Sequence, residues 1–327
     1  MIREVEKMKH YFTCLMLAVM ASVGTVHAEN MEFPVSFSID GLDFQIQDPI
    51  QGVPVVWVSD DVEPYATGTV TIPLYVTNKG VTYIVTKIAK WWPNEGGLTK
   101  LIVPMGLDSI DNLAFSDTRS LQEVDLKGVK YIGDYALSGT GLKTLKLDGM
   151  LKSLGTGVFS LNKELTSVTI TSPTLTELPD FTFTYCTKLT DITLSPYITK
   201  LGRQVFALNP ALETITLPQS LQSMGIEMFY DCTNLREIKV LAYAPPAATA
   251  QTFEGIDTEK VKLFVPNGTE PFYRNAEGWK LFKTINNTQG IEELPTNTAK
   301  DGKVLHEGHI LLRRGDKTYT LQGQDVK

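Results

Sequence analysis

A unit of about 23 residues recurs along the middle of this chain, and that periodicity constrains the fold more than any other feature. It starts at Leu98 and restarts at Leu121, Leu142, Leu165, Leu189, Leu212 and Leu235, in steps of 23, 21, 23, 24, 23 and 23 residues. Three residues after each start stands an apolar residue: Leu101, Val124, Leu145, Val168, Ile192, Ile215 and Ile238. Two further on stands another: Val103, Leu126, Leu147, Ile170, Leu194, Leu217 and Val240. Later in the unit an apolar residue precedes an aromatic by five positions, as in Ile110/Phe115, Leu154/Phe159, Leu178/Phe183, Leu201/Phe206 and Met224/Phe229; the second unit has Leu137 after Ile132. One unit of this size cannot bury its own apolar face. Stacked neighbours can, so the fixed period predicts a solenoid.

Within each unit the opening Leu-x-x-apolar-x-apolar alternates as a short strand does, apolar side chains inward and the intervening ones outward. Pro104 and Pro218 follow the strand directly, and Pro173 and Pro196 lie near its end, where a residue without a backbone donor stops ladder pairing. The second half carries Ile132-Gly133, Leu154-Gly155, Leu201-Gly202 and Met224-Gly225. It is too short for a long helix and predicts a tight or 3₁₀-like turn.

The ends depart from the period, as solenoid caps must. Val70-Thr71-Ile72-Pro73 resembles the strand of a unit, and Ile88 and Trp91-Trp92 resemble its later apolar positions. Between them, the tip Asn78-Lys79-Gly80 predicts an inserted β-hairpin over residues 75–85. Strands are predicted at 35–39, 42–46, 53–58 and 261–266, with a short helix over 271–282 that carries Trp279 and plugs the open end. The chain thus divides into a signal segment (1–28), an N-terminal β cap with a first irregular unit (29–97), regular repeats (98–240), a C-terminal cap (241–285), a polar linker (286–302) and a short β tail (303–327).

Residues 1–28 read as an export signal: Lys7 and Lys9 begin it, an apolar run spans 11–23, and Val26-His27-Ala28 has the small-x-small form of a cleavage site. The run is too short for a transmembrane helix, and no other segment approaches the ~18 apolar residues of one. The formal charge is −7, from 30 Lys and Arg against 37 Asp and Glu, which weighs against nucleic acid as a partner. Cys186 and Cys232 each lie three residues after a repeat aromatic, two units apart. At ~4.8 Å per parallel strand their Cα atoms stand roughly 9–10 Å apart. A disulfide spans at most ~7 Å, so free buried thiols are expected. Thr118, Thr140, Asn162 and Asn209 share that position and predict a polar ladder serving the turn backbone.

The unit from Leu212 to Cys232 reads Leu-x-x-Ile-x-Leu-Pro-x-x-Leu-x-x-Met-Gly-x-x-x-Phe-x-x-Cys. It resembles the BspA-type leucine-rich repeat, over roughly residues 66 to 285. The resemblance implies an α/β leucine-rich-repeat solenoid, β-dominated, in an exported or surface-displayed protein that binds rather than catalyses. Proteins of this kind are common on anaerobic Gram-negative bacteria, and some bind host matrix proteins or take part in adhesion and co-aggregation. Residues 308–324 are similar to short C-terminal tails of exported proteins from the same bacteria, longer examples of which act as outer-membrane sorting signals.

The residues themselves point the same way. After residue 28 the only histidines are His306 and His309, so no Ser-His-Asp or Cys-His site falls in the repeats. His306-Glu307-Gly308-His309 places its second histidine one residue too early for the zinc motif, and no Asp-rich calcium loop occurs. No cofactor, metal or catalytic residue is expected. Arg314-Gly315-Asp316 reads as a solvated turn, with integrin-type adhesion as the lesser alternative. The candidate partner-binding face is the outward side of the strands: Glu123, Asp125, Thr144, Lys146, Ser167, Thr169, Asp191 and Thr193, predicted to stack in columns. The competing surface is the turn side, with Tyr185, Asn209 and Tyr230. The expected partner is a protein, host extracellular matrix included. The alternatives are a surface glycan, for an accessory protein of nutrient uptake, or a role as rigid surface scaffold.

Overall fold

A computed structural model describes residues 36–60, 66–91 and 97–287, together with the backbone of 301–306, 309–314, 317–320 and 325–326. The export-signal segment, Trp92, Glu307-Gly308 and the Gly315-Asp316 turn lie outside the described residues. The N-terminal region is an antiparallel meander of β1 (Ser36–Ile39), β2 (Leu42–Ile50) and β3 (Val53–Asp60). Next come β4 (Gly68–Thr71), β5 (Tyr75–Asn78) and β6 (Val81–Trp91). β5 and β6 form the predicted hairpin; Lys79 and Gly80 at its tip have φ of 47° and 81°, as a type I′ turn requires. Val70 pairs with Leu101 and Ile88 with Ile110, so the cap is a solenoid unit with a hairpin inserted between its two halves.

The repeats make two parallel ladders. The strand side runs through β7 (Leu98–Ile102), β9 (Glu123–Asp125), β11 (Thr144–Leu147), β13 (Ser167–Ile170), β15 (Asp191–Thr193), β17 (Thr214–Leu217) and β19 (Glu237–Val240). The other side runs through two-residue strands: β8 (Ser109–Ile110), β10 (Tyr131–Ile132), β12 (Ser153–Leu154), β14 (Glu177–Leu178), β16 (Lys200–Leu201) and β18 (Ser223–Met224). Neighbouring units pair in sequence register, for example Leu145↔Val168↔Ile192 and Ile215↔Ile238. The repeated Leu, aliphatic and aromatic positions meet in one continuous core. Phe159, Phe183, Phe206 and Phe229 stack at its centre, with successive ring centroids 5.7, 6.2 and 6.0 Å apart and ring planes within 11°. Each fully buried ring contributes about 1.5–3 kcal/mol from area alone.

β20 (Lys262–Val265) and β21 (Thr284–Asn287) continue the strand-side ladder beyond β19. Between them lie α1 (Glu270–Asn275) and a 3₁₀ turn at Trp279–Leu281. Trp279 is buried as expected, though on the 3₁₀ turn and not on the helix, and packs against Phe253, Tyr273 and Phe282; its indole N–H donates to the Pro246 carbonyl at 2.7 Å. The Tyr273 hydroxyl donates to the Ala242 carbonyl at 2.6 Å. Two boundaries shift: β21 reaches Asn287, and the tail begins at Asp301, so the predicted linker 286–302 loses residues to strands at both ends. Among the described residues the tail has four antiparallel strands, β22 (Asp301–His306), β23 (His309–Arg314), β24 (Lys317–Thr320) and β25 (Asp325–Val326).

Candidate functional site

On the strand side, six of the eight candidate residues stand in register. Thr144, Ser167 and Asp191 form one column and Lys146, Thr169 and Thr193 the next, across β11–β13–β15. Glu123 and Asp125 do not join them by pairing: β9 pairs with β7, and no β9–β11 ladder forms. The unit from Leu121 is the 21-residue one, two residues short of the common period, and the strand columns break where it meets the next. Glu123 instead lies 2.7 Å from Lys100 of the preceding strand. That hydrogen bond and charge lower the Glu123 pKa and raise that of Lys100. Asp125 meets Lys127 at 3.5 Å and Lys146 meets Asp148 at 2.9 Å. The face is therefore polar and locally charge-balanced, with Thr and Ser at its centre.

The turn side is built differently. In each unit two residues around the aromatic position have left-handed backbone. The left-handed residues lie two before and two after that position: Leu113 and Asp117, Tyr135 and Gly139, Gly157 and Leu161, Phe181 and Tyr185, Gln204 and Leu208, Glu227 and Asp231, with φ between 52° and 69°. Across this stretch every second N–H points at the next unit: Leu113, Phe115 and Asp117 donate to the carbonyls of Asp134, Ala136 and Ser138. The N–H groups between them bond within their own turn, as Ala114 does to Asp111. The turns thus hold a third inter-unit ladder.

The position three after the aromatic closes these turns from inside. Asn162 donates from Nδ2 to the carbonyls of Phe159 and Leu137 at 2.9 and 3.0 Å, and accepts from Thr140 Oγ1 at 2.6 Å. Asn209 donates to Phe206 and Phe183, both at 2.9 Å. Cys186 and Cys232 donate their S–H to Phe159 and Phe206 of the preceding unit at 3.3 and 3.0 Å. Both thiols are free and buried, and desolvation pushes each pKa up to about 12. The predicted ladder and the unpaired cysteines are both present. Asn209 is a correction: it is fully buried, because its amide is spent on two carbonyls, and it offers nothing to a partner. Tyr185 and Tyr230 are exposed as expected.

Sequence reasoning passed over a further column. Asn112, Asp134 and Asp180 accept, through Oδ1, the N–H of Asp134, Thr156 and Arg203 in the following unit at 2.7–2.8 Å. The signal was an Asn or Asp two residues after the apolar residue that precedes each turn.

A groove of about 740 Å³ lies between the β1–β2 turn and β4–β5, lined by Asp40, Phe44, Thr69, Thr71 and Tyr75 among others. Asp40 is its one carboxylate among the described residues. No helix among the described residues is long and apolar enough to cross a membrane.

Parallel in-register strands, one per leucine-headed unit, with stacked phenylalanines inside, define a leucine-rich-repeat solenoid. The chain belongs to the BspA type leucine rich repeat region family, whose model matches residues 89–177 and 162–264 in six copies. No curated protein matches the chain. Among solved structures it is similar to a leucine-rich repeat protein from Bacteroides ovatus, at 18% identity over 77% of this chain and 76% of that one, with a TM-score of 0.37. It is also similar to the pneumococcal vaccine antigen PcpA, at 14% identity over 78% and 99% with a TM-score of 0.35. The T. pallidum leucine rich repeat protein TpLRR aligns at 17% identity over 59% and 87%, with a TM-score of 0.39.

Proposed function

We propose that this chain is an exported, surface-displayed, non-enzymatic binding protein that contacts a protein partner on the strand side of its solenoid. The observation that carries the reading is the in-register pair of outward columns on β11, β13 and β15, flanked by Glu123 and Asp125 on β9. The three paired strands at ~4.8 Å span about 10 Å, and β9 extends the face beyond them, enough for a modest polar contact. Family membership supports binding over catalysis. Protease shaving of intact cells, followed by detection of the released repeats, tests the surface location.

Immobilised host matrix proteins test the face. The double variant Asp125→Lys/Lys146→Glu is expected to fold as the parent does, since surface changes seldom exceed ~0.5 kcal/mol. It is expected to lose at least about tenfold in affinity, which corresponds to ~1.4 kcal/mol. Full affinity in this variant, with loss in a Tyr185→Ser/Tyr230→Ser variant, moves the contact to the turn side.

A further inference from the structure

The turn side carries strain that the fold does not demand. Left-handed backbone suits Gly, Asp and Asn and penalises bulky side chains. Gly139, Gly157, Asp117 and Asp231 show that these slots accept such residues. Leu113, Tyr135, Leu161, Phe181, Tyr185 and Leu208 nevertheless fill six of the remaining eight, beside Gln204 and Glu227. Leu113, Tyr135, Leu161 and Tyr185 leave 36–47% of their surface in solvent, so core packing does not account for them. Strained, exposed, apolar residues in successive units point to a contact surface. Two cations lie on its rings: Arg203 sits 4.6 Å over Phe181 and Lys163 sits 5.2 Å over Tyr185. Among the described residues neither joins an ion pair; Asp231 stands in one of the same slots, and Asp180 lies beside Phe181, its Oδ1 accepting the Arg203 backbone N–H.

We propose that the turn side is a self-association interface, occupied by a second copy of this chain. Its two-fold axis runs across the face, between the unit of Phe183 and the unit of Phe206. This symmetry reverses the order of the units and sets each slot against the equivalent slot of the facing unit. Tyr185 of each copy then meets Leu208 of the other, and Phe181 meets Gln204. Arg203 faces Asp180, and Lys163 reaches Asp231 beside Leu161, each twice, while Leu113 and Tyr135 lie outside the paired units. The charge pattern favours this axis over the one a unit nearer the N-terminus, which sets Asp117 against Asp231. The strand sides remain free on both copies, so the dimer presents two of them at once. The proposal does not depend on what the strand side binds.

Sedimentation velocity of the full exported chain over a wide concentration range tests it. Twice the chain mass is expected at the upper end. Leu208→Asp is expected to be monomeric throughout yet to unfold, at high dilution, no earlier than the parent, because Asp231 already shows that aspartate suits this slot. Lys163→Glu is expected to weaken the dimer, and adding Asp231→Lys to restore it. A parent that stays monomeric at every concentration overturns the proposal. So does a dimer that survives Leu208→Asp, or a charge exchange that fails to restore pairing.

Discussion

At the scale of single residues, position in the repeat decides what a side chain is worth. Phe206 is buried between Phe183 and Phe229, its ring nearly parallel to both. Phe206→Ala removes two stacking contacts and leaves a cavity that both neighbouring units line. A loss of about 3–5 kcal/mol is expected, read from denaturant unfolding. Cys186 and Cys232 tie stability to alkaline pH. Their folded pKa values are raised from 9.0 to about 12, so the native state holds the thiol protons while the unfolded chain releases them. Their contribution is fully present below pH 9 and is lost as pH rises from 9 toward 12, at about 1.4 kcal/mol per pH unit for each thiol. Cys186→Ser/Cys232→Ser is expected to flatten the fall of the unfolding midpoint over that window; an identical pH profile would refute the linkage.

At the scale of elements, the turns and the caps carry predictions of their own. A Cβ at Gly225 would stand 2.5 Å from the carbonyl carbon and oxygen of Gly202 in the preceding unit, both backbone atoms. The turns cannot separate without breaking their ladder, so Gly225→Ala is expected to cost at least about 2 kcal/mol in thermal or denaturant unfolding, as overpacking does. At the C-terminal end, Trp279 closes the apolar stack and satisfies the Pro246 carbonyl. Trp279→Ala is expected to cost about 3–5 kcal/mol and to speed amide hydrogen exchange in β20 and β21 before the central strands.

At the scale of the whole molecule, stability in a solenoid is a sum over units and the interfaces between them. The strand-side ladder is broken between β9 and β11 and again between β15 and β17, while the core runs through both places. β13 is hydrogen-bonded on both sides, but β9 and β11 each lack a strand partner on one side. Hydrogen exchange is therefore expected to be faster in β9 and β11 than in β13. Equal protection across the three would mean that the core alone sets local stability.

Much of this was legible in the sequence. The leucine period, the inward apolar positions, the inserted hairpin and the Trp279 plug all follow from where side chains must be dry, and a 23-residue period records that burial directly. The free thiols followed as well, because strand spacing is a constant of backbone geometry. What only the tertiary structure decided depends on groups one unit away. The repeat position of Asn209 pointed to the polar ladder, but the two carbonyls it serves, three and 26 residues distant, came only from the packing, and with them its withdrawal from the turn-side surface. The left-handed slots were hidden because Leu, Tyr and Phe fill them where glycine would have announced them. The breaks after β9 and β15 are likewise absent from the apolar period, which runs through both places. Apolar periodicity states which side chains leave water; it does not state which backbone groups they find when they arrive.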